Sequence, residues 1–324
     1  MLTKPYALKL SPVFKDYIWG GTRLMTEFNM DCPLDIAAEA WVFSTHADGP
    51  SIVQNGELAG KTFNEALDAF GREAWGENCE KFENFPMLIK FIDALNDLSV
   101  QVHPSDEYAL DVEGEYGKTE MWVVLDADPG SCLCYGFSHE ISKEEFKERL
   151  NNGTLMEVLN RVPVNKGDVF FIDAGTLHAI GKGLLIAEIQ QNSNSTYRVF
   201  DYNRKDTNGN PRPLHIEKAL DVTNTCPPAI KPGAAGQTEK LDGGTETLLG
   251  TCRYFTVYSY DVDSKITLNA NKTSFLSLTF TSGEGVLRFK NGTINFSKGD
   301  SFFVPAGEGE FTVEGGCQVL VSRV

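Results

Sequence analysis

The chain has 324 residues, enough for two ordinary domains or one large one with a well-buried core. Its 29 Lys and Arg stand against 45 Asp and Glu, a formal net charge of −16, which argues against nucleic acid or an anionic membrane surface as a partner. At 41% hydrophobic and 23% charged residues the composition is that of a globular protein, and no apolar stretch is long enough to cross a bilayer.

In chain order, residues 1–10 carry Lys4, Pro5 and Lys9 and no long apolar run, so no export leader is expected. Gly56-Glu57-Leu58-Ala59-Gly60-Lys61-Thr62 looks like a phosphate-binding loop but is one residue short and follows no βα unit; it is set aside. Residues 61–74 place Phe63, Ala66, Leu67 and Phe70 at helical spacing and predict a helix. Strand-like runs follow at 99–103 and 120–126. Ser142 opens a second helix as a capping box with Glu145, with Phe146 and Leu150 behind it. Further strands are expected at 169–173, 184–191 and 197–202, and a short helix over 216–221. Between residues 225 and 250, Pro227, Pro228, Pro232, Gly233, Gly236, Gly243 and Gly244 interrupt any period, so a linker is expected there and a domain boundary near residue 240. Strands resume at 255–260 and 275–280. Many short strands with few helices read as an all-β sandwich or barrel with helical decoration. The seven cysteines (Cys32, Cys79, Cys132, Cys134, Cys226, Cys252, Cys317) are an odd number thinly spread, which is no disulfide framework and points to the reducing cytoplasm.

The chain also echoes itself. Residues 166–175 (Lys-Gly-Asp-Val-Phe-Phe-Ile-Asp-Ala-Gly) align with 298–307 (Lys-Gly-Asp-Ser-Phe-Phe-Val-Pro-Ala-Gly). Both read as a Gly-Asp turn, a strand with paired Phe, and an Ala-Gly turn. Continued without gaps, His178 of the first copy faces Glu310 of the second, and no histidine follows His215. If the first copy binds a metal, the second keeps the scaffold without the site.

Three segments carry metal-ligand chemistry. In Gln101-Val102-His103-Pro104, strand alternation points Gln101 and His103 to one face, and Pro104 ends the ladder beside the imidazole. Glu120 stands at the entrance of an apolar strand, where a carboxylate needs a partner. His178 follows the turn of residues 173–177 into the next apolar strand. Each alone has a bland reading, as a bonded core or strand-end residue. Together, two imidazoles, one carboxylate and one amide oxygen suit Zn²⁺, with Mn²⁺, Co²⁺ or Fe²⁺ as alternatives. Arg198, inside the strand of Tyr197, Val199 and Phe200 and sharing a face with Thr196, is either paired with Asp201 or aimed at an anionic substrate.

On Trp19-Gly20-Gly21, Glu39-Ala40-Trp41-Val42-Phe43-Ser44 and segments 98–104, 117–122, 174–178 and 196–201, the chain resembles type I mannose-6-phosphate isomerase in its short bacterial form, a member of the cupin superfamily. The resemblance implies a mainly β fold of two cupin-like β-barrels (jelly rolls) with a small helical decoration. Residues 1–239 would form the metal-binding catalytic domain with its helical segments, and 240–324 a metal-free cupin-like domain. It implies one Zn²⁺ per chain on Gln101, His103, Glu120 and His178, with Arg198 catalytic and Lys118 in the active site. The implied reaction is the interconversion of D-mannose 6-phosphate and D-fructose 6-phosphate through an enediolate, in the cytoplasm, on a small hexose phosphate. One departure is Gly117, where longer members of the family carry His. Lys90 and Arg204 are candidates for the phosphate. Two other readings stand beside this one: a non-catalytic sugar-phosphate-binding cupin, and a mononuclear iron cupin dioxygenase.

Overall fold

The computed structural model describes residues 3–28, 30–205 and 209–324. It is mainly β, as expected, and its three sheets are built from antiparallel pairs. A six-stranded sheet runs in the order Val169–Ile172, Glu120–Ala127, Leu184–Gln191, Met87–Ala94, Glu39–Phe43, Val13–Lys15. A five-stranded sheet runs Tyr197–Phe200, Val100–Val102, His178–Ile180, Cys132–Phe137, Leu159–Pro163. Trp122, Phe170 and Ile186 of the first pack with Leu133, Tyr135 and Ile180 of the second, so the two face each other across one core.

The central strands of the six-stranded sheet are buried on both faces. Along Glu120–Ala127, Trp122 and Val124 enter that shared core, while Met121 and Val123 enter a larger cluster on the other side. Double burial is why these strands read as continuous apolar runs, and it puts Lys90, Glu120 and Glu188 on an inner face where a charge is costly. The outer face of the five-stranded sheet (Val100, Val102, Ala179, Tyr197, Val199) is covered by Phe146 of the helix Lys143–Asn152 and Ala219 of the helix Ile216–Val222.

The predicted helices form with adjusted ends. The first runs Phe63–Phe70, with a complete capping box between Thr62 and Glu65, stops at Gly71 (φ 82°), and resumes as a 3₁₀ turn Arg72–Trp75. In the second, Ser142 Oγ accepts the Glu145 N–H at 3.1 Å and Gly153, in the left-handed region, ends the helix. A helix Asp106–Val112 was not foreseen: it buries only Ala109 and leaves Leu110 and Val112 exposed, so it has no apolar stripe to read. The expected linker over 225–250 is irregular only in its first part. Thr238–Leu241 pairs with Gly244–Thr251 as a hairpin, because Gly243 at φ 90° makes a turn where the composition suggested a break.

In the C-terminal part an eleven-stranded sheet encloses Phe280, Phe296, Phe302, Phe311 and Val319, with Phe280 and Phe296 stacked at 3.8 Å. The N-terminal strand Leu8–Ser11 joins this sheet beside Ser301–Val304. Phe43, Phe63 and Phe85 meet Phe275 and Phe303 in a cluster common to both parts. No described helix is long and apolar enough to cross a membrane.

Candidate active site

Strand register assembles the site. His178 lies opposite Gln101, and Arg198 lies opposite Gln101 on the other edge of the same strand. Glu120 comes from the facing sheet, at the end of its strand, opposite Ile172. His103, Glu120 and His178 therefore meet between the sheets, and one ligand atom from each lies within 4.8 Å of the others. Glu120 Oε2 is 3.5 Å from His103 Nε2, and Oε1 is 3.4 Å from His178 Nε2.

Both imidazoles are oriented by the backbone. His103 Nδ1 is 2.9 Å from the Ser195 carbonyl and His178 Nδ1 is 2.8 Å from that of Thr176. A carbonyl only accepts, so each Nδ1 carries the proton and each Nε2 lone pair faces Glu120. Burial keeps both rings neutral, pushing His103 well down from its ordinary value and His178 down to about 4. Burial and the charge of Glu188 push the Glu120 carboxyl up. Glu120 Oε1, fully buried, receives no hydrogen bond. Lone pairs from three side chains thus converge with too few protons among them, and a cation is what satisfies them; the trio could hold a metal ion. The Lys118 ammonium already plays part of that role, 2.5 Å from Glu120 Oε2 and 3.1 Å from His103 Nε2.

Gln101 comes to the same point: its amide nitrogen is 3.5 Å from His178 Nε2, with Oε1 beside Ser99 Oγ at 3.3 Å. A half-turn of the amide puts the oxygen on the cluster and the NH₂ on the serine, which can accept as well as donate. The four residues singled out as ligands, with Lys118, are thereby brought together.

From the cluster a row of buried charges crosses the six-stranded sheet. Glu188 pairs in register with Trp122 on one side and Lys90 on the other. Its Oε2 accepts the Trp122 indole N–H at 2.9 Å, and its Oε1 lies 3.5 Å from both Lys118 Nζ and Lys90 Nζ. Burial disfavours its charge, but the two ammoniums outweigh it and hold the carboxyl below the usual range. Lys90 also pairs with Glu39 at 3.6 Å, and Glu39 is fixed by the Trp41 indole at 2.6 Å. Lys90, a candidate for the phosphate in the sequence, thus has two carboxylates as its partners.

Of these, Glu39, Lys90, Lys118 and Glu188, with Gln101, line a cavity of about 230 Å³ whose walls include Tyr17, Trp19, Asn194, Arg198 and Arg212. Arg198 makes no ion pair among the described residues: Nε meets Ser99 Oγ at 3.2 Å and Nη1 the Pro213 carbonyl at 3.1 Å. Asp201 pairs instead with Arg204 and with Arg212, the latter through both carboxylate oxygens. Three guanidiniums around one carboxylate leave excess positive charge at the mouth, and burial together with Arg212 pushes Arg198 down from its ordinary value. Arg204 is turned onto Asp201 and the Asp97 carbonyl, whereas Arg212, which the sequence reading passed over, reaches the cavity. Glu39 and Glu188 were missed as well: Glu39 opens its strand and Glu188 lies in one buried on both faces, where no alternation marks the inner side.

The wall carrying Asn194 and Thr196 is held from outside. Glu115 accepts the Asn194 N–H, Asp48 Oδ2 accepts the Asn194 side-chain amide at 2.8 Å, and His46 lies 3.4 Å from Glu115.

Residues 7–121 match the family model for the catalytic domain of phosphomannose isomerase type I, and residues 245–324 that for the cupin domain of mannose-6-phosphate isomerase. The chain is 39% identical to the mannose-6-phosphate isomerase ManA of Bacillus subtilis (strain 168) over 325 residues, all of both chains. It is 39% identical to the mannose-6-phosphate isomerase of Streptococcus mutans over 307 residues, 94% of each chain. The crystal structure of the Bacillus subtilis mannose 6-phosphate isomerase superposes with a TM-score of 0.91 at 38% identity, covering 99% of this chain and 100% of that one. With likeness of this degree running from end to end, in fold as in sequence, this chain is an isomerase that belongs to the type I phosphomannose isomerase family.

Proposed function

We propose that the chain interconverts D-mannose 6-phosphate and D-fructose 6-phosphate, with one Zn²⁺ held by Gln101, His103, Glu120 and His178. The observation that carries the metal is the convergence of the two Nε2 lone pairs on the buried Glu120 carboxylate. A borderline donor set of imidazole, carboxylate and amide suits zinc, and with Glu120 as its one charged member the set would leave a bound ion enough positive charge to supply Lewis-acid polarisation of the sugar oxygens.

The protein's own groups do the rest. Arg212, which reaches the cavity, offers the phosphate a local positive charge, which a chain of net charge −16 cannot provide by its overall field. Tyr17 and Trp19 wall the cavity and exclude water from the sugar. Glu188, ionised between two lysines and aimed into the cavity, takes the C2 proton on Oε1. The C2–H electron pair becomes the C1=C2 bond and the C1 carbonyl pair moves to O1, giving an enediolate. Arg198 lies where that charge can be met, and Lys118 passes a proton between O2 and O1. Glu188 then returns its proton to C1 and the C2 carbonyl forms.

The family favours this reading over a non-catalytic binder or an iron dioxygenase. The deciding experiment couples fructose 6-phosphate formation to elemental analysis. We expect about one zinc per chain, activity abolished by chelator and restored by zinc, and no oxygen consumption. Full activity in chelator-treated, metal-free protein rejects the metal reading, and turnover that consumes oxygen rejects the isomerase reading.

A further inference from the structure

Segment 117–119 delivers Lys118 and Glu120 to the cluster, and it belongs to neither helix nor strand. One carboxylate and one amide hold it instead. Asp106 Oδ1 accepts the Gly117 N–H at 2.9 Å and a Gln191 Nε2 hydrogen at 2.8 Å. Gln191 Oε1 in turn accepts the Thr119 N–H at 2.8 Å, and the Pro104 carbonyl accepts that of Lys118 at 2.9 Å. All three consecutive N–H groups are therefore used, and two of them depend on the Asp106–Gln191 pair. The remaining oxygen, Asp106 Oδ2, accepts the Tyr254 hydroxyl at 2.8 Å, from 148 residues away.

The approach of the two backbones is close. A Cβ at Gly117 would stand 2.4 Å from the Asp106 nitrogen and 2.4 Å from the Ser105 carbonyl carbon. No side chain fits there, in keeping with glycine at this position.

We propose that Asp106 is a positioning residue of the isomerase site, setting the backbone that presents Lys118 and Glu120, and that Tyr254 ties this setting to the C-terminal part of the chain. The inference rests on the metal and isomerase reading above. A carboxylate receiving three donors makes strong, directional bonds, and a group oriented this way transmits small shifts to the ligand it supports.

The test uses the full-length, zinc-loaded chain, with zinc release to a chromogenic chelator as the first readout and kcat and KM as the second. Asp106→Ala is expected to speed zinc release and lower kcat by about tenfold or more, with a smaller change in KM. Tyr254→Phe, which removes one hydroxyl, should move both quantities the same way by a few fold. Asp106→Asn should restore both to within about twofold, because its oxygen still accepts from Gly117 and Gln191 while the tyrosine hydroxyl turns to accept from the new amide. A purely structural Asp106 would lower the melting temperature of the Ala variant and leave zinc release and kcat at 25 °C unchanged; that result overturns the proposal. Should Asp106→Ala fail to fold, unchanged zinc release and kcat in Tyr254→Phe overturn it instead. If the unaltered chain isomerises but binds no zinc, the metal reading fails first and this inference with it.

Discussion

The two copies of the turn-strand-turn unit, residues 166–175 and 298–307, match in detail and differ in consequence. In each, the first glycine sits at positive φ (Gly167 at 91°, Gly299 at 92°) and so does the last (Gly175 at 87°, Gly307 at 82°). In each, the aspartate side chain accepts a backbone N–H three residues back at 2.8 Å, Asn165 in one and Ser297 in the other. Each turn also docks on its neighbour strand through the same pair of bonds, Gly167 and Asp168 on Val124, Gly299 and Asp300 on Phe280. Beyond the last glycine they part. The first copy leads to His178, buried opposite Gln101; the second leads to Glu310, exposed and opposite Asn269. The first strand flanks an interior holding Glu120, Glu188 and Lys90, whereas the second flanks one filled by Phe280, Phe296 and Phe302. The repeat supplies scaffold, and what the inner faces carry decides between a charged cavity and a packed core.

The sharpest way to break this contrast is to substitute the aligned pair. His178→Ala should cost on the order of 10³-fold or more in isomerase activity and empty the chain of metal, since it removes one ligand and strands the buried Glu120. Glu310→Ala should change neither activity nor elemental content; a comparable loss would make the second copy functional. Next in size, Arg198→Ala should lower kcat by roughly 10²–10³-fold with zinc retained, measured by steady-state kinetics beside metal analysis. Near-normal turnover would reassign the charge-stabilising role.

On the packed side, Phe296→Ala should destabilise the chain by about 3–5 kcal/mol in denaturant unfolding while kcat at 25 °C holds, because a stacked, dry ring is lost far from the chemistry. The smallest effect concerns pH. Burial raises the Glu115 carboxyl, but hydrogen bonds from His46, the Asn194 N–H and Ser193 overcome it and hold it at about 2, against an ordinary 4.5. A carboxyl lowered on folding stabilises above its unfolded value, and that contribution fades as pH falls from about 4.5 toward 2. Glu115→Gln should therefore melt with a shallower dependence on pH across that window; a slope equal to that of the unaltered chain would show the carboxylate to be idle.

How far the site could be read in the chain follows from the range of each interaction. Gln101 and His103 were legible because alternation on a strand is local, and the glycine turns because positive φ restricts the residues that suit it. Glu188 and Glu39 were not, because strands buried on both faces show no polar alternation to mark their inner side. Arg212 passed unnoticed in an irregular segment, where no period says which way a side chain points. Arg198 was read with two alternatives, and the choice turned on Asp201 being taken up by Arg204 and Arg212.

Residue types, their spacing along single strands, the repeated turns and the family likeness were all present in the string of letters, since each depends on neighbours a few positions apart. The convergence of His103, Glu120 and His178, the proton placement set by the Ser195 and Thr176 carbonyls, and the hold of Asp106 and Tyr254 on the Lys118 segment came only with the folded chain. These depend on how two sheets face each other and on hydrogen bonds spanning up to 148 residues, whose partners are selected by packing and not by proximity in sequence.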